Sequence, residues 1–285
     1  FPLTKAISKQ LMPVYDKPMI YYPLTTLMSS GIREILIICN PHHLDSFKNL
    51  LKDGSQWGIS IEYKSQNNPG GIAEAFLLGE EFMGESNVSL ILGDNLFYGN
   101  NFERDLREVN QDKKNATLFA YPVSDPSRYG IVDFDSNNEV IDIQEKPKKP
   151  KSNYAVTGLY FYDNDVIEFA KRLKPSQRGE LEITDINKMY LANKNLKVRI
   201  LERGMAWLDT GTFDSLQDAG AFIRTLENRQ GLKIGSPEET AWRLGLINNQ
   251  QLHKLALEVS QSIYGKYLNN LLPQRNSQEQ IIEFK

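Results

Sequence analysis

Val88-Ser89-Leu90-Ile91-Leu92-Gly93-Asp94-Asn95 is the stretch on which the reading of the fold turns. Its first five residues form a mostly apolar run, as a strand covered on both faces does, and the run ends in a glycine followed by a carboxylate. In open α/β sheets ligands bind beyond the carboxyl ends of the strands, so Asp94 stands where chemistry gathers and Gly93 permits close approach of backbone. A hard carboxylate oxygen suits Mg2+, which takes few protein ligands. Read alone, the same Gly-Asp pair fits a surface turn or a helix cap equally well.

Towards the N-terminus, Glu34–Cys39 is another apolar, β-branched run, and a helix is predicted ahead of it over Pro18–Ser30, with Pro18 in the first turn and Gly31 beyond the end. Helices are expected at 43–51, 71–83 and 103–109, and strands at 59–64 and 116–123. This alternation predicts an α/β fold with a mostly parallel central sheet flanked by helices. The middle departs from it: 129–135 and 139–145 flank Ser136-Asn137-Asn138 as a hairpin, and Tyr154–Tyr162 is a further strand. Helices at 165–173, 183–192 and 214–228 and strands at 197–201 and 206–208 follow. Beyond Gly231 the strands stop and helices are expected at 237–244 and 251–263. The chain therefore divides into a main domain over 1–230 and a small helical extension over 231–285, suited to packing on the main domain or to oligomer contacts.

The 285 residues, 40% hydrophobic and 24% charged, allow a substantial core. A net charge of −3 leaves no basic footprint for nucleic acid. The single cysteine, Cys39, excludes an internal disulfide and reads as a strand residue. No apolar run approaches the ~18–20 residues of a membrane span and no leader is visible, so the expected location is the cytoplasm.

A second carboxylate shares the character of Asp94. In Trp207-Leu208-Asp209-Thr210-Gly211-Thr212 an apolar stretch again ends in aspartate followed by small residues. Two such aspartates suit one divalent ion, which phosphoryl and nucleotidyl transfer use to neutralise charge around phosphorus. Asn67-Asn68-Pro69-Gly70-Gly71-Ile72 lies between a strand and a helix. It lacks both the P-loop ending and the dinucleotide spacing, so it suits reading a base or sugar, and a bare tight turn fits it equally well. Glu145-Lys146-Pro147 follows the hairpin; a residue before proline is expected to be extended, which would aim the Lys146 ammonium consistently. Lys9-Gln10 and Arg178-Gly179-Glu180 are further candidates for anion contacts. The adjacent His42 and His43 cannot form an i, i+4 metal pair. Asp133-x-Asp135 has glycosyltransferase-like spacing but lies on a hairpin arm.

Together these residues resemble the bacterial glucose-1-phosphate thymidylyltransferases (dTDP-glucose pyrophosphorylases). The resemblance rests on Ser8–Pro23, Gly93-Asp94-Asn95, Glu145-Lys146-Pro147, Tyr154–Tyr160, Arg178–Asp185 and Trp207–Thr212, and runs to about Tyr267. It implies a Rossmann-like nucleotidyltransferase fold, a homotetramer, and transfer of a thymidylyl group from dTTP to glucose 1-phosphate as the first step of dTDP-L-rhamnose biosynthesis. It assigns Asp94 and Asp209 to Mg2+, and Lys9, Gln10, Gln66, Gly71, Asp94 and Asn95 to the nucleotide, with Gln66 and Gly71 on the thymine. Gly130, Glu145 and Val156 would hold the glucose, and Lys146 and Arg178 its phosphate. A second nucleotide site, inhibited by dTDP-rhamnose, would involve Tyr98, Gly99, Lys233, Glu239 and Arg243. The resemblance also implies a strand and a G-x-G-T-R-L loop ahead of Phe1; a molecule beginning at Phe1 is expected to show little or no activity. The alternatives are a related pyrophosphorylase with another nucleotide or sugar phosphate, and a non-catalytic nucleotide-sugar sensor.

Overall fold

Residues 2–273 are described by the computed structural model of the chain. The chain opens with two short 3-10 turns, Leu3–Lys5 and Lys9–Leu11, and then a tight hairpin of β1 (Pro13–Val14) and β2 (Lys17–Pro18). Pro18 thus belongs to a strand, and the first helix, α1 (Tyr21–Ser29), starts three residues later than its proline suggested. Its end follows the prediction, since Gly31 takes φ 97°, the left-handed region that glycine occupies cheaply.

Next come β3 (Glu34–Cys39), α2 (Leu44–Leu51), β4 (Ser60–Ser65), α3 (Glu74–Leu78) and α4 (Glu80–Met83). The single helix expected over 71–83 is two, parted at Gly79. The decisive strand follows as β5 (Val88–Ile91), and a strand the periodicity did not reveal, β6 (Asn95–Tyr98), comes directly after Asp94. Beyond it lie α5 (Phe102–Gln111), β7 (Ala116–Pro122), the hairpin β8 (Gly130–Phe134) and β9 (Val140–Glu145), β10 (Tyr154–Tyr162), α6 (Val166–Arg172), α7 (Ile183–Ala192), β11 (Leu196–Ile200), β12 (Ala206–Asp209) and α8 (Phe213–Gln230).

The sheet organises itself around β10. Along one edge β10 pairs with β7, which pairs in parallel with β11. Along the other edge it pairs first with β8 and then with β5, both antiparallel. Among the described strands, parallel pairing is confined to β7–β11 and β3–β4, because the β8–β9 hairpin and the returning β10 reverse the chain direction in the middle of the sheet. Between the β8 and β5 contacts β10 shifts register across Val156–Tyr160. Within that stretch Gly158 packs tightly against the segment that carries Asp94: its carbonyl accepts from Leu92 N–H at 2.8 Å and its N–H donates to Asn95 Oδ1 at 3.0 Å.

β3 and β4 form their own two-stranded sheet. Between β3 and β5 runs a slot of about 780 Å3, lined by successive residues of both strands, Glu34–Cys39 and Val88–Leu92. Lining by consecutive rather than alternate residues means that strand edges, not sheet faces, border it. Its mouth is lined by Gln10, Gln66, Gly71 and Gly93.

Among the described residues after Gly231 the chain forms three helices and no strand, α9 (Pro237–Arg243), α10 (Asn249–Glu258) and α11 (Ile263–Asn270); residues 274–285 of the expected extension lie outside the described residues. Their buried Ala241, Leu252, Ala256 and Leu268 share one apolar cluster with Leu24, Leu27, Phe47 and Trp57 of the first part of the chain. Removing Leu252, which is wholly buried, would cost about 2–5 kcal/mol as an alanine substitution. Among the described residues no helix is long and apolar enough to cross a membrane.

Candidate active site

Asp94 and Asp209, which are 115 positions apart, meet because β6 and β12 pair antiparallel with Asn95 directly opposite Asp209. Thr210 reinforces the junction: its backbone N–H (3.1 Å) and its hydroxyl (2.9 Å) both donate to the Asp94 carbonyl. One Asp94 carboxylate oxygen accepts from Lys9 Nζ at 2.6 Å, and the other from Asn95 Nδ2 at 3.0 Å. Asn95 itself is buried, and its Oδ1 accepts from Trp207 Nε1 (2.6 Å) and Gly158 N–H (3.0 Å). Both ends of its amide thus have partners within the protein, and its contribution to the crevice runs through the carboxylate it orients.

Asp209 is less well served. The nearest cation is the Arg128 guanidinium, 4.0 Å away on the 3-10 turn that leads into β8. Burial pushes the Asp209 carboxyl above its ordinary range and the neighbouring Asp94 adds to this, while Lys9, Arg128 and the Gly211 N–H pull the other way. Among the described residues no group of three or more acidic, histidine or cysteine side chains is arranged to hold a metal ion. Two carboxylates with one under-compensated charge fit an ion such as Mg2+, which takes one or two carboxylates and leaves its other positions to phosphate and water.

A second corner forms where β8, β9, β10 and α7 converge. Gly130 pairs with Glu145. A Cβ added at Gly130 would stand 3.4 Å from Glu145 Oε2, 3.5 Å from Thr184 Oγ1 and 3.9 Å from Val156, so Gly130, Glu145 and Val156 surround one small space. Thr184 donates to Glu145 at 2.7 Å and fixes that carboxylate; its motif was visible in the sequence, its role was not.

The cations border this corner. Lys146 Nζ lies 3.8 Å from Glu145. Lys146 is not extended as its position before proline suggested: it takes φ 41° while its N–H donates to the Tyr129 carbonyl at 3.0 Å. That bond and the end of β9 override the local preference. Arg178 makes a forked contact with Glu182 (3.2 and 2.8 Å) and lies 3.6 Å from Glu145. The bonds it donates to Glu182 hold the guanidinium firmly charged. Burial by itself would raise the Glu182 carboxyl, but the bonds from Arg178 and Ser176 hold it below its ordinary range.

The glycine loop sits at the mouth of the slot. Gly71 has φ 103°, and a Cβ there would lie 2.4 Å from the Leu181 carbonyl, so only glycine fits. Leu181 N–H donates to Gly70 at 2.7 Å and clamps this loop to the Arg178 segment. Gln10 crosses the same mouth over Gly93, where a Cβ would meet Gln10 Cγ at 2.8 Å.

The other predicted group lies apart, beside α8 and α9. Glu239 pairs with Arg243 (2.9 Å) and accepts from Tyr267 (2.6 Å), whose hydroxyl also accepts from Lys233 N–H. Lys233 Nζ binds Glu227 at 2.6 Å and Asp16. Tyr98 donates to Gln230 at 3.2 Å, and Gly99 packs against Met205.

The chain is similar to known proteins along most of its length. Residues 1–225 match the family described as nucleotidyl transferase. The glucose-1-phosphate thymidylyltransferase of Neisseria meningitidis (serogroup A) is 54% identical over 272 residues, 95% of this chain and 94% of the relative. That of Mycolicibacterium smegmatis is 54% identical over 271 residues, again 95% and 94%. A solved Bacillus anthracis structure, named as a glucose-1-phosphate thymidylyltransferase and determined with sucrose, superposes with TM-score 0.73 at 41% identity, covering 79% of this chain and 89% of that one. A UDP-glucose pyrophosphorylase with UDP-glucose shares the fold, at TM-score 0.70 and 24% identity.

Proposed function

We infer the reaction from one premise: this chain belongs to the nucleotidyl transferase family, with glucose-1-phosphate thymidylyltransferases as relatives along nearly its whole length. It joins a thymidylyl group from dTTP to glucose 1-phosphate, giving dTDP-glucose and pyrophosphate. The observation that carries this reading to particular residues is the meeting of Asp94 and Asp209 where β6 pairs with β12, in a chain that also builds the glycine loop and the Gly130–Glu145–Val156 corner.

A phosphate oxygen of glucose 1-phosphate forms the new bond to the α-phosphorus of dTTP while the bond to pyrophosphate breaks in line. The nucleophile is already an anion, so no proton abstraction and no covalent protein intermediate are needed. The obstacle is bringing two anions together and holding them aligned, for which good orientation supplies ~7–11 kcal/mol. Lys146 and Arg178 flank the sugar corner and grip the sugar phosphate. Glu145, fixed by Thr184, accepts from sugar hydroxyls beside Gly130 and Val156. Gln66 and Gly71 face the base, Gln10 lies beside the nucleotide, and Lys9 meets its phosphates while holding Asp94. Asp94 and Asp209 hold Mg2+, which when bound neutralises charge growing on the phosphate oxygens.

Beyond the reaction itself we extend the proposal to a homotetramer in the cytoplasm, supplying dTDP-glucose for dTDP-L-rhamnose synthesis. Feedback by dTDP-rhamnose would act through Tyr98, Gly99, Lys233, Glu239 and Arg243. Support for this comes from the resemblance to the thymidylyltransferases, and for the second site from the junction of Lys233, Glu239 and Arg243 around Tyr267.

The test is a panel of dTTP, UTP and dCTP against glucose 1-phosphate and other sugar phosphates, scored by pyrophosphate release with and without Mg2+. The expected result is fastest turnover with dTTP and glucose 1-phosphate, abolished by chelation. Faster turnover with a different nucleotide or sugar phosphate, or full activity after chelation, would replace the corresponding part of the proposal.

A further inference from the structure

We propose that Glu74 is a positioning residue for base selection: it locks the Gln66 amide so that only its carbonyl oxygen faces the ligand, which selects bases carrying a protonated ring nitrogen. The proposal deepens the reading that Gln66 faces the base, and it rests on it.

Gln66 follows β4, and its backbone N–H is tied to the Cys39 carbonyl at the end of β3 (2.8 Å), so its Cα is fixed by the β3–β4 ribbon. Its side-chain Nε2 donates to Glu74 Oε2 at 2.5 Å. The same carboxylate oxygen accepts from Gly70 N–H at 3.1 Å, and a Cβ at Gly70 would collide with it at 2.3 Å. Glu74 is therefore seated against the glycine loop itself, at the first turn of α3, where the helix dipole favours an anion. An ionised carboxylate only accepts hydrogen bonds, and a glutamine amide has one donating and one accepting end. With Glu74 in place the NH2 end must face it. Among the described residues nothing donates to Gln66 Oε1, and Gln66 borders the mouth of the slot beside Gly71 and Gln10.

What remains for a ligand is a bare acceptor on a fixed amide. Thymine and uracil present N3–H on the edge that such an acceptor reads; cytosine presents an unprotonated N3, whose lone pair would face the Gln66 oxygen. A site built to hydrogen-bond one partner rejects an analogue that leaves its buried polar group unpaired far more strongly than a hydrophobic pocket rejects a size mismatch. The choice of base thus depends on a residue that does not itself reach the base.

The experiment compares kcat and KM for dTTP and dCTP, with glucose 1-phosphate and Mg2+, in the full-length enzyme and in Glu74→Gln, Glu74→Ala and Gln66→Ala. In Glu74→Gln the neutral amide accepts or donates, so Gln66 is free to turn over. The ratio of kcat/KM for dTTP over dCTP is then expected to fall at least about tenfold, mostly through a lower KM for dCTP, and Glu74→Ala is expected to move it in the same direction. A ratio within twofold of wild type in both Glu74 variants, with Gln66→Ala lowering it, would overturn the role of Glu74 alone. An unchanged ratio in Gln66→Ala as well would overturn the base contact of Gln66, and the role of Glu74 with it.

Discussion

Two clusters in this molecule have the same formal composition and opposite character. Around α8, Asp16 and Glu227 meet Lys17 and Lys233; where β6 pairs with β12, Asp94 and Asp209 meet Lys9 and Arg128. In the first, Lys17 Nζ binds Glu227 (2.7 Å) and Asp16, Lys233 binds both acids as well, and Glu227 also accepts the Ile234 N–H at 2.9 Å. Lys17 and Glu227 are almost wholly buried, and Lys17 further rests on the rings of Tyr22 and Tyr264. Every charge there has its partners inside the protein. In the second, Lys9 and Asp94 are well paired, yet Asp209 is half-buried with Arg128 no nearer than 4.0 Å and its carboxyl pushed upward. The comparison separates two uses of charge: a closed cluster fixes the β1–β2 hairpin to α8, and an incompletely answered one leaves attraction available to a cation and phosphates.

The largest expected effect breaks the open cluster. Asp94→Asn and Asp209→Asn should each lower kcat at least about a thousandfold, ~4 kcal/mol of barrier. Urea unfolding should stay near wild type, and for Asp209→Asn slightly above it, since a strained carboxylate disappears. Turnover within tenfold of wild type in either variant would remove that residue from the catalytic pair.

Breaking the closed cluster should do the reverse. Lys17→Met leaves a buried carboxylate short of a partner and should cost about 3 kcal/mol of stability, read from the denaturation midpoint, while molecules that remain folded keep kcat within a few-fold. A large kcat loss at normal stability would mean that this cluster serves the reaction directly.

Asn95 tests whether burial alone marks a structural role. It is as hidden as Lys17, but its amide orients Asp94. Asn95→Ala should therefore lower turnover about 10–100-fold, as loss of an outer partner of a metal ligand does, with a higher Mg2+ requirement. An unaltered Mg2+ dependence would place Asn95 with the structural group.

The smallest effect concerns the exposed Asp112–Lys197 pair. The bond from Lys197 outweighs the opposing effect of burial and holds the Asp112 carboxyl down at about 2 instead of 3.8. A depressed carboxylate stabilises the fold above its unfolded value and loses this as pH falls between about 4 and about 2. Solvent screening keeps the contribution below about 1 kcal/mol. Asp112→Asn should flatten that acid limb of the stability profile, and an unchanged limb would assign it to other carboxylates.

The sequence by itself determined the α/β character, the strand ending at Asp94, the hairpin around Asn137, the helical tail and the pair of aspartates, because each is written in local apolar periodicity or in a motif that stands whole in the chain. It misplaced what long-range contacts decide. Pro18 reads as a helix start until β1 pairs with it, and Lys146 reads as extended until the Tyr129 carbonyl takes its N–H. β6 is too short to show a period, and its existence follows only from its pairing with β12. Arg128, Thr184 and Glu74 carried no local signal of their roles, since each acts on a carboxylate or amide distant from it or on another element. Side chains that support other side chains are chosen by the packed structure. The chain alone specifies which groups exist, while the fold specifies which of their charges are left unanswered.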